Sequence, residues 1–501
     1  MSNVSLDLFS ELNDKSIEYC HFKSNEHLKA GVDGDTDLDI LVSVKCYNEF
    51  LNIASKHGFK RFEPDGIGSY PGVSNLFALN EENGKIIHIH LHTQLITGKG
   101  LVKDYVLPWA DIVLRESILH EMGIKVTEPS MELILLFTRL AVKRKPSERA
   151  KSSKGFFYVA EDDQREIDYL RNRSDNKKLK TFFESMFGIP ISKRLLSMYY
   201  SQPIKESEFF HYEKFVRERM KDYRRLSGVD ASVLSFKNKA IRKCNIYSNK
   251  YLESLVKIKK RPYGRPGIMV AFVGIDGSGK SAMLAEIKSW LAEEFDVMEF
   301  YLGAGDGKKS VFVQAPIAIY QAVQRKKAPN NQMVDKGNNK DGYTSKSTIK
   351  AIGAALTYSK LAKDNVDKVI KAKKYAENGG IALFDRFPQS EIEVLHDGLR
   401  VRKYVKGSNN AIVKKCADAE LHAFRHIESI GVDLVLRMVV DPRVAYARKS
   451  EDEPNCSIRE EKANTLIKLK YGDAKRIVNI DANASYEEVL ANIKREVWNI
   501  L

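Results

Sequence analysis

Apolar and polar positions alternate in short runs near the N-terminus, recur at helical spacing through the middle of the chain, and gather into unbroken apolar blocks towards the C-terminus. In the first stretch, residues 39–43, 76–79 and 86–92 have the length and alternation of strands and residues 44–57 the spacing of a helix, so 1–125 is expected to form a small α/β unit. A long apolar-periodic helix is expected over 131–144, capped by Thr127 or Ser130, and residues 126–262 as a whole are expected to be helical. Pro262, Gly264, Pro266 and Gly267 then break any helix. From 263 to 501, apolar blocks at 268–273, 381–384 and 434–440 alternate with helical stretches, the pattern of a doubly wound parallel sheet. Within it, residues 326–347 are rich in Asn, Lys and Gly and are expected to form a mobile loop.

Composition narrows the class without naming a function. A length of 501 residues implies several domains, and 43% hydrophobic with 29% charged residues is ordinary for a globular protein. No apolar stretch approaches the roughly 20 residues that span a bilayer, and the first residues lack a signal-peptide pattern, so a cytoplasmic location is expected. The cysteines, Cys20, Cys46, Cys244, Cys416 and Cys456, form no Cys-x-x-Cys pair and read as reduced structural thiols. A net charge of +15 favours anionic partners. Much of it lies between Arg217 and Arg261, either a solvated helix face or a surface for nucleic acid or an acidic partner.

The chemistry is densest at Gly274-Ile275-Asp276-Gly277-Ser278-Gly279-Lys280-Ser281, which follows an apolar strand and opens a helix expected over 282–295. Backbone N–H groups and the positive helix end converge there, as a polyphosphate requires. Lys280 is placed to reach the β- and γ-phosphates and Ser281 to hold Mg²⁺. Asp385 and Arg386 end the 381–384 strand, at the sheet edge where such folds bind ligands. Asp385 is a candidate for the Mg²⁺ shell or for taking an acceptor proton, and Arg386 for clamping an acceptor phosphate; the bland alternative is a structural ion pair. After 434–440 comes a helix carrying Arg443 and Arg448, with a charged loop behind it suited to closing over phosphates.

Together these pieces resemble the thymidylate kinase family of P-loop nucleoside monophosphate kinases over most of 268–501: the loop, Asp385-Arg386-Phe387 with Ser390, Arg448, and Val478–Ala482 before a final helix. The resemblance implies ATP and Mg²⁺ as cofactors, Asp276 near the acceptor's sugar, Arg386 at its phosphate and Arg448 over the donor phosphates. Two features depart from it. Tyr301-Leu302-Gly303-Ala304-Gly305-Asp306-Gly307 stands where the family carries an acceptor-binding arginine, and Pro388-Gln389 does not match its thymidine pocket. Phosphotransfer from ATP to a nucleoside monophosphate or another phosphorylated small molecule is therefore expected, with thymidylate a poor acceptor.

Near the N-terminus, Asp37 and Asp39 share one face of a strand, a pair able to hold a divalent metal. With Lys23-Ser24 upstream, this resembles the nucleotidyltransferase fold, and the two halves together resemble two-domain bacterial proteins joining a nucleotidyltransferase-like start to a thymidylate-kinase-like end. That fold completes its metal site with a third carboxylate; here the corresponding strand carries His88, His90 and His92 on one face, His90 where the acid is expected. Two readings stand: a transition-metal site, or a polar strand face on a degenerate transferase. Activity through Asp37 and Asp39, or a nucleotide-sensing module in a larger assembly, are the alternatives to the kinase reading. Expected partners are a nucleotide and a small phosphate acceptor, with nucleic acid and a second copy of the chain as further candidates.

Overall fold

The computed structural model describes the chain except residues 1–2, 64–66, 153–154, 252–266, 304–344, 394, 406–409 and 449–455. The helix break at 262–266, most of the 326–347 segment and the start of the charged loop after Arg448 thus lie outside the described residues. Contacts divide the chain into two units, Met1–Gly264 and Arg265–Leu501.

The first unit is built on a mixed seven-stranded sheet: β1 (Tyr19–His21), β2 (Leu38–Val42), β3 (Lys60–Arg61), β4 (Val73–Leu79), β5 (Ile86–His92), β8 (Ile118–Leu119) and β9 (Lys125–Val126), in the order β3-β4-β5-β2-β1-β9-β8. A separate hairpin joins β6 (Leu95–Thr97) to β7 (Tyr105–Leu107). Strands β2 and β5 run parallel, with Asp39 opposite His90. Side chains alternate across such strands. Leu38, Ile40 and Val42 therefore pack with Ile87 and Ile89 against helices Val4–Asp14 and Tyr47–Lys56, while Leu41 joins the core of the helices that follow.

Those helices centre on Pro129–Lys143, apolar on nearly every side and buried from Ser130 to Thr138. Its cap differs from expectation. Glu128, not Thr127 or Ser130, accepts from the amides of Ser130 and Met131, because Pro129 has no N–H to satisfy and fits the first turn, which leaves the next two donors facing the Glu128 carboxylate. Residues such as Cys20, Phe22 and Leu41 share one core with Met131, Phe183 and Tyr212, so the first 125 residues and the helices after them pack as a single unit.

In the second unit, β10 (Met269–Gly274), β11 (Val297–Tyr301), β12 (Ile381–Asp385), β13 (Leu434–Val439) and β14 (Ile477–Asp481) form a wholly parallel sheet in the order β11-β12-β10-β13-β14. Helices cover both faces of such sheets. This explains why β12 is buried at every position and β10 at all but its last. The order places the carboxyl ends of β10 and β12 side by side, Phe272 opposite Asp385, and so sets the phosphate-loop motif beside the Asp-Arg pair.

Candidate functional site

The loop leaves β10 at Gly274 and enters helix Lys280–Ala292, which starts two residues earlier than expected because Gly279 takes a left-handed conformation and serves as its N-cap. Gly277 is also left-handed, at φ 88°, and a Cβ there would lie 2.3 Å from the Ala445 carbonyl oxygen. Helix Pro442–Arg448 thus packs directly on the phosphate loop. Ser278 is buried, with no hydrogen-bond partner for its hydroxyl among the described residues. Lys280 is buried too, its ammonium 3.4 Å from the Ile275 carbonyl oxygen and 3.4 Å from Asp276 Oδ1. Burial, and then the positive charge of Arg386, lowers its pKa.

Ser281 Oγ donates to Asp385 Oδ2 at 3.2 Å, while the other carboxylate oxygen, Oδ1, is buried without a hydrogen-bond partner among the described residues. Burial raises the pKa of Asp385 against the opposing pull of Lys280 and Arg386. A hydroxyl beside a half-satisfied carboxylate, next to a lysine and a helix N-terminus, is a donor set that fits Mg²⁺ with a phosphate ligand.

Arg386 has φ 71° and lies between two aspartates, Nη2 donating to Asp276 at 3.2 Å and Nη1 facing Asp397 at 3.5 Å. Burial opposes its charge, but Asp397 and Asp276 outweigh this and raise its pKa. Burial likewise opposes the charge of Asp276, yet Lys280, Arg386 and Lys462 hold its carboxyl below the usual range. Gly303 has a physical role: a Cβ there would lie 2.7 Å from the Arg386 Cδ, so the glycine makes room for the arginine stem. Asp397 was not picked out from the sequence. It sits in a left-handed turn, His396-Asp397, with no strand or repeat to mark it. Arg448, expected over the donor phosphates, is exposed and donates to the Ala482 carbonyl at 3.0 Å. Ser390 is bonded to Glu428 at 2.8 Å.

A parallel strand, a glycine-rich turn and a helix converge at the carboxyl edge of a doubly wound sheet. The second unit is a P-loop α/β domain.

No family model matches the chain. Two proteins of Escherichia coli strain K12 are similar to it. The uncharacterized ATP-binding protein YghR is 24% identical over 233 residues, 46% of this chain and 87% of that protein. The uncharacterized ATP-binding protein YghS is 26% identical over 229 residues, 45% of this chain and 90% of that protein. Among solved structures, a deoxyadenosine kinase from M. mycoides with bound dATP aligns with 46% of this chain and 99% of its own, at 15% identity and a TM-score of 0.26.

Asp37 and Asp39 belong to the first unit. His88 Nδ1 lies 2.9 Å from Asp37 Oδ1, and His90 Nδ1 lies 3.7 Å from Asp37 Oδ2 and 3.5 Å from Asp39 Oδ1. Asp37, His88 and His90 thus bring three ligand atoms together. Asp39 is more committed, with Lys23 Nζ at 2.9 Å and His92 Nε2 at 3.3 Å. Burial works against its charge, but Lys23 and the imidazoles hold its carboxyl well below the usual range. Burial pushes His92 down to about 4, so it is neutral at pH 7 and packs edge-on to Phe22. Two imidazoles and a carboxylate suit zinc-like ions better than Mg²⁺, which favours oxygen donors.

Proposed function

We propose that the chain is an ATP- and Mg²⁺-dependent phosphotransferase of the P-loop kinase type. It moves the γ-phosphoryl group to a small-molecule acceptor, a nucleoside monophosphate or another phosphorylated compound. The observation that carries this is the pairing of Ser281 with Asp385, whose second oxygen is buried and unpartnered among the described residues, beside Lys280 at the mouth of the loop. The similarity to YghR and YghS, both named as ATP-binding proteins, supports ATP as the nucleotide.

In this reading the loop amides from Gly277 to Ser281 and the start of the helix cradle the β-phosphate, and Lys280 offsets charge on the transferring group. Ser281 and Asp385 would hold Mg²⁺, which would neutralise charge on the transferring phosphate. Asp276 and Arg386 orient the acceptor. Its oxygen attacks the γ-phosphorus, the bond to the β-γ bridging oxygen breaks, and ADP leaves; a hydroxyl acceptor gives its proton to Asp276 or Asp385. Arg448, tied to Ala482, acts at the donor side by moving towards it on closure.

The test is transfer of the γ-phosphoryl group from labelled ATP to a panel of nucleoside monophosphates and phosphorylated sugars, thymidylate among them. Transfer to one acceptor, lost in Lys280→Ala and with thymidylate poor, is the expected result. ATP binding without transfer to any acceptor would favour a nucleotide sensor.

A second reading concerns the first unit. The Asp37, His88 and His90 grouping favours a metal site, through which nucleotidyl transfer would run. Metal content of the purified protein by elemental mass spectrometry, lost in Asp37→Ala, tests the site itself.

A further inference from the structure

The first unit carries a half-open cavity of about 620 Å³, within the range of small-molecule sites, and its wall includes Lys103, Arg139, Lys143, Lys239, Arg242 and Lys243. Three elements bring these together: the turn between β6 and β7, helix Pro129–Lys143, and helix Gly228–Tyr251. The last is laid onto the turn by hydrogen bonds, among them one from Lys99 to the Ser232 hydroxyl. Lys99 Nζ donates to the Gly228 carbonyl at 3.2 Å, Ser235 Oγ to the Gly100 carbonyl at 3.2 Å, and Asn238 Nδ2 to the Leu101 carbonyl at 2.9 Å. Part of the basic run that the sequence leaves as either a solvated face or a binding surface thereby becomes the wall of a cavity.

Charge is unbalanced there. Arg139 is matched by Glu166 at 2.8 Å, Arg144 by Glu206 at 2.7 Å, and Lys145 by Glu148 at 3.5 Å. Lys103, Lys143, Lys239, Arg242 and Lys243 have no carboxylate partner among the described residues. Among the described residues the wall carries one further acid, Asp163, whose pKa burial raises. Leu136, Leu140, Phe157 and Val159 supply an apolar side. Five cations without an ion-pair partner among the described residues, set around a half-open space with an apolar wall beside them, suit a ligand that carries several negative charges on an organic body.

We propose that this cavity binds a small organic polyphosphate, at a site separate from the phosphate loop. The crowding of the cations agrees with it: burial and the neighbouring charges of Arg139, Lys103 and Lys23 push Lys143 down to about 7, and burial with Lys23 pushes Lys103 down to about 8. Lys143 itself is exposed at the end of its helix. An anion at hand favours its charged form.

The lowered pKa also supplies the assay, because a lysine that is partly neutral at pH 7.5 acylates readily. The full chain is treated with an amine-acylating reagent, alone or with sodium tripolyphosphate, ATP or a single-stranded oligonucleotide, and acylation is read at each lysine by mass spectrometry. Tripolyphosphate and ATP are expected to protect Lys143 and Lys103 by about tenfold at saturation, and equally in Lys280→Ala, whose phosphate loop is disabled. Absence of protection by both phosphates, or protection by the oligonucleotide alone, overturns the proposal. Replacing Lys239 and Arg242, both exposed, with alanine is expected to raise the half-protecting tripolyphosphate concentration about tenfold or more. An unchanged value overturns it as well.

Discussion

Arg386 shows how much one residue's surroundings decide. Its left-handed backbone and its two aspartates hold the guanidinium in one place, a strained arrangement of the kind that persists at working sites. Asp397→Asn is expected to lower kcat/KM for the acceptor about tenfold while leaving KM for ATP within about twofold, as steady-state kinetics with each substrate varied will show. Lys280, Ser281 and Arg386 could be singled out from sequence because the chemistry lies in contiguous residues. Asp397 could not, because its partner is eleven residues away across a turn with no period. A different residue governs pH dependence. Burial, and then Glu166, pushes the Glu132 carboxyl up to about 8 from 4.5. The folded form therefore holds its proton where the unfolded chain releases it. Stability from this group is complete below about 4.5 and is lost as pH rises towards 8. Glu132→Gln should flatten the fall in Tm over that window in thermal melts, and an unaltered slope would remove Glu132 as its source.

Among the elements, helix Pro129–Lys143 depends on its cap. Glu128→Ala removes the acceptor for two amides, and a loss of about 1 kcal/mol is expected in denaturant unfolding. The contact between helix Pro442–Arg448 and the loop yields a sharper expectation. Gly277→Ala must move the Ala445 carbonyl and adopt a positive φ, so ATP affinity should fall by about tenfold or more, measured by calorimetric titration. Strands β5 and β12 lie almost where the apolar runs placed them, since burial on a sheet leaves a direct record in side-chain order. Helix ends were less legible. Lys280–Ala292 starts at the loop itself and stops three residues before Phe295, because a left-handed glycine, not an apolar period, sets its beginning.

At the scale of the molecule, each unit has its own core, one around Leu136, Phe183 and Tyr212 and another around Phe300, Phe384 and Val435. Two unfolding transitions are expected in calorimetry, and ATP with Mg²⁺ at about a hundredfold over Kd should stabilise the one belonging to the P-loop domain by about 2.7 kcal/mol. Replacing Asp37 and Asp39 together should leave ATP consumption at the phosphate loop nearly intact; a loss with unchanged melting would show that the sites are coupled. The alternation of strand and helix was open to reading, but the order of strands was not, because neighbours in a parallel sheet are distant in sequence. That order also matters while the protein is being made. The central strand β10 leaves the ribosome first of its sheet, yet the next strand to appear, β11, is not its neighbour. Its first partner, β12, follows more than a hundred residues later, an interval of roughly 5–20 seconds of translation. Through that interval an apolar strand destined for the middle of the sheet waits unpaired, so newborn chains should depend on chaperones until residue 385 has emerged.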